Sequence, residues 1–145
     1  MTEKVTELLK KKNLDAILIS DGYNMRYFSG FGGATGYLYI SADQKVLMTD
    51  SRYTTQAKQE APKFAVVEVS TEKGYRELIT ECIRKDQAKT IGFEDQQMIC
   101  ADFKKISSPT KDEATWMELG EEVNLLRCIK TEEELEKVAK AEAIG

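Results

Sequence analysis

Residues 36–50 read GYLYISADQKVLMTD. Two apolar runs, Gly36–Ser41 and Lys45–Asp50, flank the polar triplet Ala42, Asp43 and Gln44. A link this short joins antiparallel neighbours, because a parallel crossover needs a dozen or more residues. The pair therefore reads as a β-hairpin. Upstream, Asp15–Ser20 (DAILIS) is a short buried strand, and Thr2–Lys12 is a helix with Val5, Leu8 and Leu9 on one face. Downstream, Ser51–Glu60 reads as a helix that stops before Pro62. Phe64–Val69 (FAVVEV) is a strand, and Gly74–Lys85 is a helix with Leu78, Ile79, Cys82 and Ile83 inward. Thr90–Glu94 is a strand, Gln97–Ile106 a helix ended by SSPT, and Thr115–Leu119 a short strand. Glu121–Cys128 has no decisive period. Strands and helices alternate, yet one pair of strands is a hairpin. The class is α/β, with a mixed β-sheet and helices on both faces.

A chain of 145 residues with 41% hydrophobic content fits one domain around one core. The net charge of -4, without a basic patch, argues against nucleic acid and anionic membrane surfaces as partners. The longest apolar runs, such as AILI, are too short to span a bilayer. The N-terminus MTEKVTELLKKK has no apolar signal core. Cys82, Cys100 and Cys128 are scattered and odd in number, which suggests free thiols in a reducing cytoplasm. Histidine is absent. Ser-His-Asp and Cys-His catalysis and all histidine-containing metal sites are thereby removed.

Few motifs look chemical. Gly30–Gly36 (GFGGATG) places Thr35 where a dinucleotide fingerprint needs its third small residue, and it leads into a strand rather than a helix. It reads as a glycine-rich turn. In TDSRY (Thr49–Tyr53), Asp50 is expected to cap the helix beginning at Ser51, and Arg52 offers a fork of donors with no partner identifiable in the sequence. Carboxylates such as Glu94 and those between Asp112 and Glu122 read mostly as solvated faces and caps. Cys100, between Ile99 and Ala101, reads as core. Thr131 and Glu134 form a capping-box pattern ahead of Leu135, Val138 and Ala139. A helix is expected to start there and still be running at Ile144, so the sequence reads as part of a longer protein.

Four stretches carry a resemblance: YFSGFGG from Tyr27, TDSRYTTQA from Thr49, IGFE from Ile91 and LLRCIKTEEELEKVAKA from Leu125. In that order and spacing they resemble the N-terminal domain of the Xaa-Pro aminopeptidase, prolidase and creatinase family. The resemblance covers essentially the whole chain. It implies a creatinase/prolidase N-terminal domain fold with a ribonuclease H-like motif. Residues 1–130 would be that non-catalytic domain, and 131–145 would open the first helix of a catalytic domain. Arg127, Ile129, Lys130 and Glu134 match the family junction.

The resemblance also implies a function for the parent protein. Its pita-bread domain would hold two divalent metals, manganese being the expected one, with two Asp, two Glu and one His. The parent would hydrolyse the bond before proline in a peptide, by attack of a metal-activated hydroxide. No catalytic or metal-binding residue, and no cofactor, carries over to this chain. Its partners would be its own catalytic domain, a second subunit and a proline-containing peptide, in the cytoplasm. Tyr27, Gly30 and Phe31 would form the corner that ends a short helix and turns into the hairpin. The loop from Gly32 to Tyr37 would reach toward the neighbouring subunit's active site. Tyr27, Phe31, Gly33, Tyr37 and Arg52 are the candidate entrance or dimer contacts; Gly30, Asp50 and Tyr53 are the structural motif. A free-standing binding or scaffolding module, a small α/β enzyme with its own carboxylate site, and a fragment of a creatinase-type amidinohydrolase are the alternatives.

Overall fold

Ala16–Ile19 (β1) is buried along its whole length and lies inside the sheet, between a parallel and an antiparallel neighbour. The computed structural model of the chain describes residues 2–33, 35–96 and 98–128. Before β1 stands α1 (Thr2–Lys12); after it come α2 (Gly22–Ser29), β2 (Tyr37–Ser41) and β3 (Lys45–Thr49). There follow α3 (Thr54–Glu60), β4 (Ala65–Glu68), α4 (Tyr75–Asp86) and β5 (Thr90–Phe93). The chain continues through α5 (Cys100–Ser107), a 3₁₀ turn (Ser108–Thr110), β6 (Thr115–Glu118) and α6 (Glu122–Cys128).

The strand order is β4-β3-β2-β1-β5-β6. β2 pairs antiparallel with β1 and β3, whereas β1–β5, β3–β4 and β5–β6 are parallel. The hairpin expected at residues 36–50 thus makes the sheet mixed. Its register, Tyr37 opposite Met48 and Tyr39 opposite Val46, points alternate residues to opposite faces. Leu38, Ile40 and Leu47 join Ile17 and Ile19 under α1, α2, α3 and α6. Tyr39, Val46 and Met48 join Ala16, Leu18 and Ile91 under α4 and α5. Both faces are covered, so β1 must be apolar on both sides, which is why it reads AILI rather than alternating.

Local chemistry stops the helices where the chain must turn. Asn13 adopts a left-handed backbone (φ 59°) after α1, and Leu14 N–H donates to the Leu9 carbonyl at 2.8 Å. Gln87 does the same after α4 (φ 53°), and Ala88 N–H reaches the Ile83 carbonyl at 3.0 Å. At the start of α4, the Glu77 carboxylate accepts the Gly74 N–H at 3.1 Å.

Three expectations are corrected. The helix expected from Ser51 begins at Thr54, after a turn over Ser51–Tyr53. The helix expected from Gln97 begins at Cys100, and Cys100 is exposed rather than core, as is its neighbour Ile99. That helix turns Phe103 and Ile106 inward instead. Glu121–Cys128, without a clear period in sequence, is largely helical, with Val123 buried against the α1 face. Cys82 and Cys100 are free thiols. The helix expected from Thr131, with its Leu135, Val138 and Ala139 stripe, and the 131–145 boundary lie outside the described residues. No described helix is long and apolar enough to cross a membrane.

Ile17→Ala should cost about 2–5 kcal/mol, because Ile17 is completely buried inside the sheet. Leu125→Ala, at a side chain 52% exposed, should stay within about 0.5 kcal/mol of wild type. Urea denaturation of both variants measures the contrast; equal costs would misplace the core.

Candidate functional site

Five of the six strands end on one edge of the sheet, and β2 begins there. At this edge β1 leads into α2 on one face, while β5 leads into α5 on the other. The crevice between such strands is where open α/β sheets bind ligands. Here Glu94 fills it. Its Oε1 accepts the Ser20 N–H at 2.9 Å and the Asp21 N–H at 3.1 Å. Its Oε2 accepts Asn24 Nδ2 at 2.7 Å, and the same Nδ2 donates to Asn124 Oδ1 at 2.7 Å. Glu94 is 2% exposed, so it is a buried hub and not the solvated carboxylate its sequence position suggests. Burial pushes its carboxyl above the usual glutamate value, against the pull of these donors. Ser20 Oγ and Asn24 Oδ1 are buried without a hydrogen-bond partner. The only sequence signal was an apolar strand, IGF, that runs into an acid with no turn residue between.

The glycine corner starts from the same hub. Asp21 caps α2 by accepting the Asn24 N–H at 3.1 Å. Gly30 ends α2 in the left-handed region (φ 91°), and its N–H bonds the Arg26 carbonyl at 2.8 Å. A Cβ on Gly30 would sit 2.5 Å from the Glu60 carbonyl oxygen. Phe31 is fully buried, edge-on to Tyr53 at 6.2 Å. Gly33 lies over the Phe31 ring so closely that a Cβ would collide with it. The loop is held at both ends: Gly32 N–H donates to Glu60 Oε1 at 2.8 Å, and Thr49 Oγ1 donates to the Thr35 carbonyl at 2.9 Å. At Gly36 (φ 131°) a Cβ would collide with the Met48 carbonyl oxygen.

Asp50 and Arg52 are partners. Arg52 Nε donates to Oδ1 at 3.1 Å and Nη2 to Oδ2 at 2.8 Å, while Arg52 N–H also reaches Oδ1 at 3.0 Å. Asp50 therefore closes a turn four residues before the first residue of α3 and does not cap the helix; Tyr53 occupies the cap position, with no side-chain bond. The guanidinium lowers the Asp50 pKa. Its side chain is 70% exposed and lies over the Tyr53 ring at 5.2 Å, so the pair is a screened surface contact.

The predicted residues thus divide. Phe31, Gly33, Arg52 and Tyr53 gather around the corner. Tyr27 turns away: Lys4 Nζ donates to its hydroxyl at 2.6 Å and to the Leu126 carbonyl at 3.2 Å, joining α1, α2 and α6. Tyr37 lies on the opposite face, edge-on to Tyr75 at 5.1 Å. These two rings, with Ser20, Arg76, Asp102 and Lys105, line a cleft of about 670 Å³ between α4 and α5. Burial raises the Tyr37 pKa, and Asp102 adds to it. Sequence reading missed Asn24, Glu60 and Thr49 as well as Glu94, since each acts through a contact distant in sequence. Among the described residues, no group of three or more His, Cys, Asp or Glu could hold a metal ion.

A family model described as the Creatinase/Prolidase N-terminal domain matches residues 1–129. An uncharacterized peptidase of Bacillus subtilis, YqhT, is 31% identical over 99% of this chain, which spans 40% of that relative's length. The X-Pro aminopeptidase of Thermotoga maritima superposes with a TM-score of 0.81 at 32% identity, over 94% of this chain and 38% of its own. The N-terminal domain of the cytoplasmic peptidase PepQ from Mycobacterium tuberculosis gives 0.75 at 31% identity, over 86% of this chain and 95% of its own.

Gly30→Ala should cost roughly 2 kcal/mol or more, from the left-handed backbone and the Glu60 carbonyl together; thermal denaturation reports it. Glu94→Ala should cost about 2–4 kcal/mol, because two backbone N–H groups and an amide lose their acceptor. The pH dependence has a definite sign. A carboxyl whose folded pKa is raised favours folding below the ordinary glutamate value and loses that advantage as pH rises through the raised value. The stability of wild type relative to Glu94→Gln should therefore fall with rising pH across that window and then level off. Urea titrations at a series of pH values measure it, and an increase would show that the donors outweigh burial.

Proposed function

The chain belongs to the creatinase/prolidase N-terminal domain family, and on that premise we propose that it is the non-catalytic N-terminal domain of a Xaa-Pro peptidase. The observation that carries this reading is the match along residues 1–129, with peptidase relatives of which this chain spans about two-fifths. The parent protein hydrolyses the peptide bond before proline in a small peptide, in the cytoplasm. Two divalent metal ions would supply the hydrolytic chemistry. On this reading their ligands would come from the rest of the parent, as the family resemblance implies.

The domain's part is structural. It pairs subunits and shapes the active-site entrance, through the loop from Gly32 to Tyr37. That loop is held by Glu60 at one end and by Thr49 at the other. A segment clamped at both ends reaches a neighbouring site without losing much freedom on contact, which suits positioning of a substrate. Arg52, exposed beside the corner, would offer a peptide carboxylate the N–H groups that its Nε/Nη2 pair with Asp50 does not use.

The full-length parent should cleave Xaa-Pro substrates when supplied with manganese, and the chain of residues 1–145 should not. Cleavage by the purified short chain, or a parent inert toward every Xaa-Pro peptide, would overturn the reading. In the active parent, Glu60→Ala frees the Gly32 end of the loop. It should raise KM more than it lowers kcat, whereas Glu60→Gln should keep most of the wild-type KM.

A further inference from the structure

The sheet has an open side at β6. β6 pairs with β5 alone. Thr115 N–H donates to the Lys89 carbonyl at 2.7 Å and Leu119 N–H to the Phe93 carbonyl at 3.1 Å. Odd residues therefore spend their backbone groups on β5. By strand alternation, the N–H and C=O of Trp116 and Glu118 point outward. Hollows flank this edge on both faces. One, of about 570 Å³, is lined by Phe103, Trp116, Ala114 and Thr115, with Lys104 and Lys111 at its rim. The other, of about 310 Å³, lies beside Met117, which is 37% exposed. The Trp116 indole N–H already donates to Thr110 Oγ1 at 3.2 Å, and the ring stands edge-on to Phe93 and Phe103. The first hollow therefore offers mainly carbon surface from its aromatic residues.

Charge selects the occupant. Lys104, Lys111 and Glu118 have no ion-pair partner among the described residues, whereas nearby Glu113 is taken by Arg84 at 3.1 Å. Glu118 follows Trp116 by two positions, so its side chain leaves the strand on the Trp116 face, although it also borders the second hollow at the strand's end. Lys104 and Lys111 stand near the start of β6, with the exposed Asp112 beside them outside the hollow's lining, and Glu118 stands at its end. Such an edge is complementary to itself when turned antiparallel. We propose that β6 is an isologous interface, on which a second copy of this chain adds its own β6 antiparallel across a two-fold axis. With Trp116 opposite Trp116 of the second copy, outward backbone groups meet in pairs. Glu118 of each copy then falls opposite Ala114 of the other, over the hollow that holds Lys104 and Lys111. The two Met117 side chains close the opposite face. The pairing names a surface for the subunit contact proposed above, and rests on that reading only for the expectation that two copies meet.

Sedimentation of the full 145-residue chain over a concentration series tests it. Mass should pass from monomer to dimer. Emission of Trp116, the sole tryptophan, should shift to the blue in step. Glu118→Lys and Lys111→Glu should each weaken the dimer roughly tenfold or more, and the double reversal should restore it. Both positions are exposed, and an unchanged melting curve verifies that each variant is folded. A chain monomeric at every concentration overturns the proposal. A dimer indifferent to both reversals is held on another face and overturns it equally. A parent protein without Xaa-Pro activity, but with a dimer that obeys the reversals, sinks the peptidase reading alone.

Discussion

The Glu94 carboxylate, buried between the ends of β1 and β5, is the interaction on which the carboxyl edge of the sheet depends. Placing a carboxyl group there is costly, since burial disfavours its charge. Two backbone N–H groups and one amide offset part of the cost, and those donors have fixed positions. Ser20 and Asp21 must leave β1 on a path that aims both N–H groups at one oxygen. That path starts α2, whose first turn Asp21 then caps. Through Asn24 the constraint passes to Asn124 and so to α6. One side chain thus sets the relation of two strands and two helices. The chain has thus placed its own carboxyl group at the edge where the fold would admit a ligand.

With the start of α2 fixed, the corner at its end is fixed by contact rather than by charge. Gly30 turns against the Glu60 carbonyl, Phe31 drops into the core, and Gly33 lies across the Phe31 ring. No other residue fits at Gly30 without moving the end of α3. The loop then crosses from the α1 face to the α4 face, so Phe31 and Tyr37, six residues apart, pack into different cores. This route is why the aromatic residues of the corner do not form one cluster.

The sheet was legible because its signals are local. The hairpin follows from three polar residues between two apolar runs, and β1 from four buried aliphatic positions in a row. The stretch from Tyr27 to Gly33 was legible as a corner, although only the family resemblance placed a helix before it. What sequence misplaced depends on distant or competing contacts. Asp50 has the chemistry of a helix cap, but Arg52 takes both its oxygens and its carbonyl accepts the Tyr53 N–H, so the helix is delayed to Thr54. Cys100 looked apolar beside Ile99, yet α5 turns Phe103 and Ile106 to the sheet and leaves both exposed. Glu94 looked like surface because residue type predicts exposure, and nothing near it in sequence reveals that its donors come from residues 20–24. The candidate site was therefore read in half: its glycines and aromatics were visible, its clamps and its hub were not.

The two edges of the sheet show how the same constraint can be met differently. At β4, Glu68 accepts the Thr54 hydroxyl at 2.7 Å, and Val69 N–H bonds the Thr49 carbonyl beyond the end of the strand. These contacts tie the strand's carboxyl end inward, and its two valines are half-buried. At β6 the strand's end is tied by Gly120 N–H to Asp95 at 2.8 Å, but the strand itself leaves Met117 and Glu118 in the open. Short length protects both edges, since four residues give a small template for foreign strands. Length does not choose between them. Side-chain chemistry does, because a strand that carries an exposed methionine between an aromatic hollow and an unpaired acid gains from being covered, whereas a strand already tied into its own domain does not.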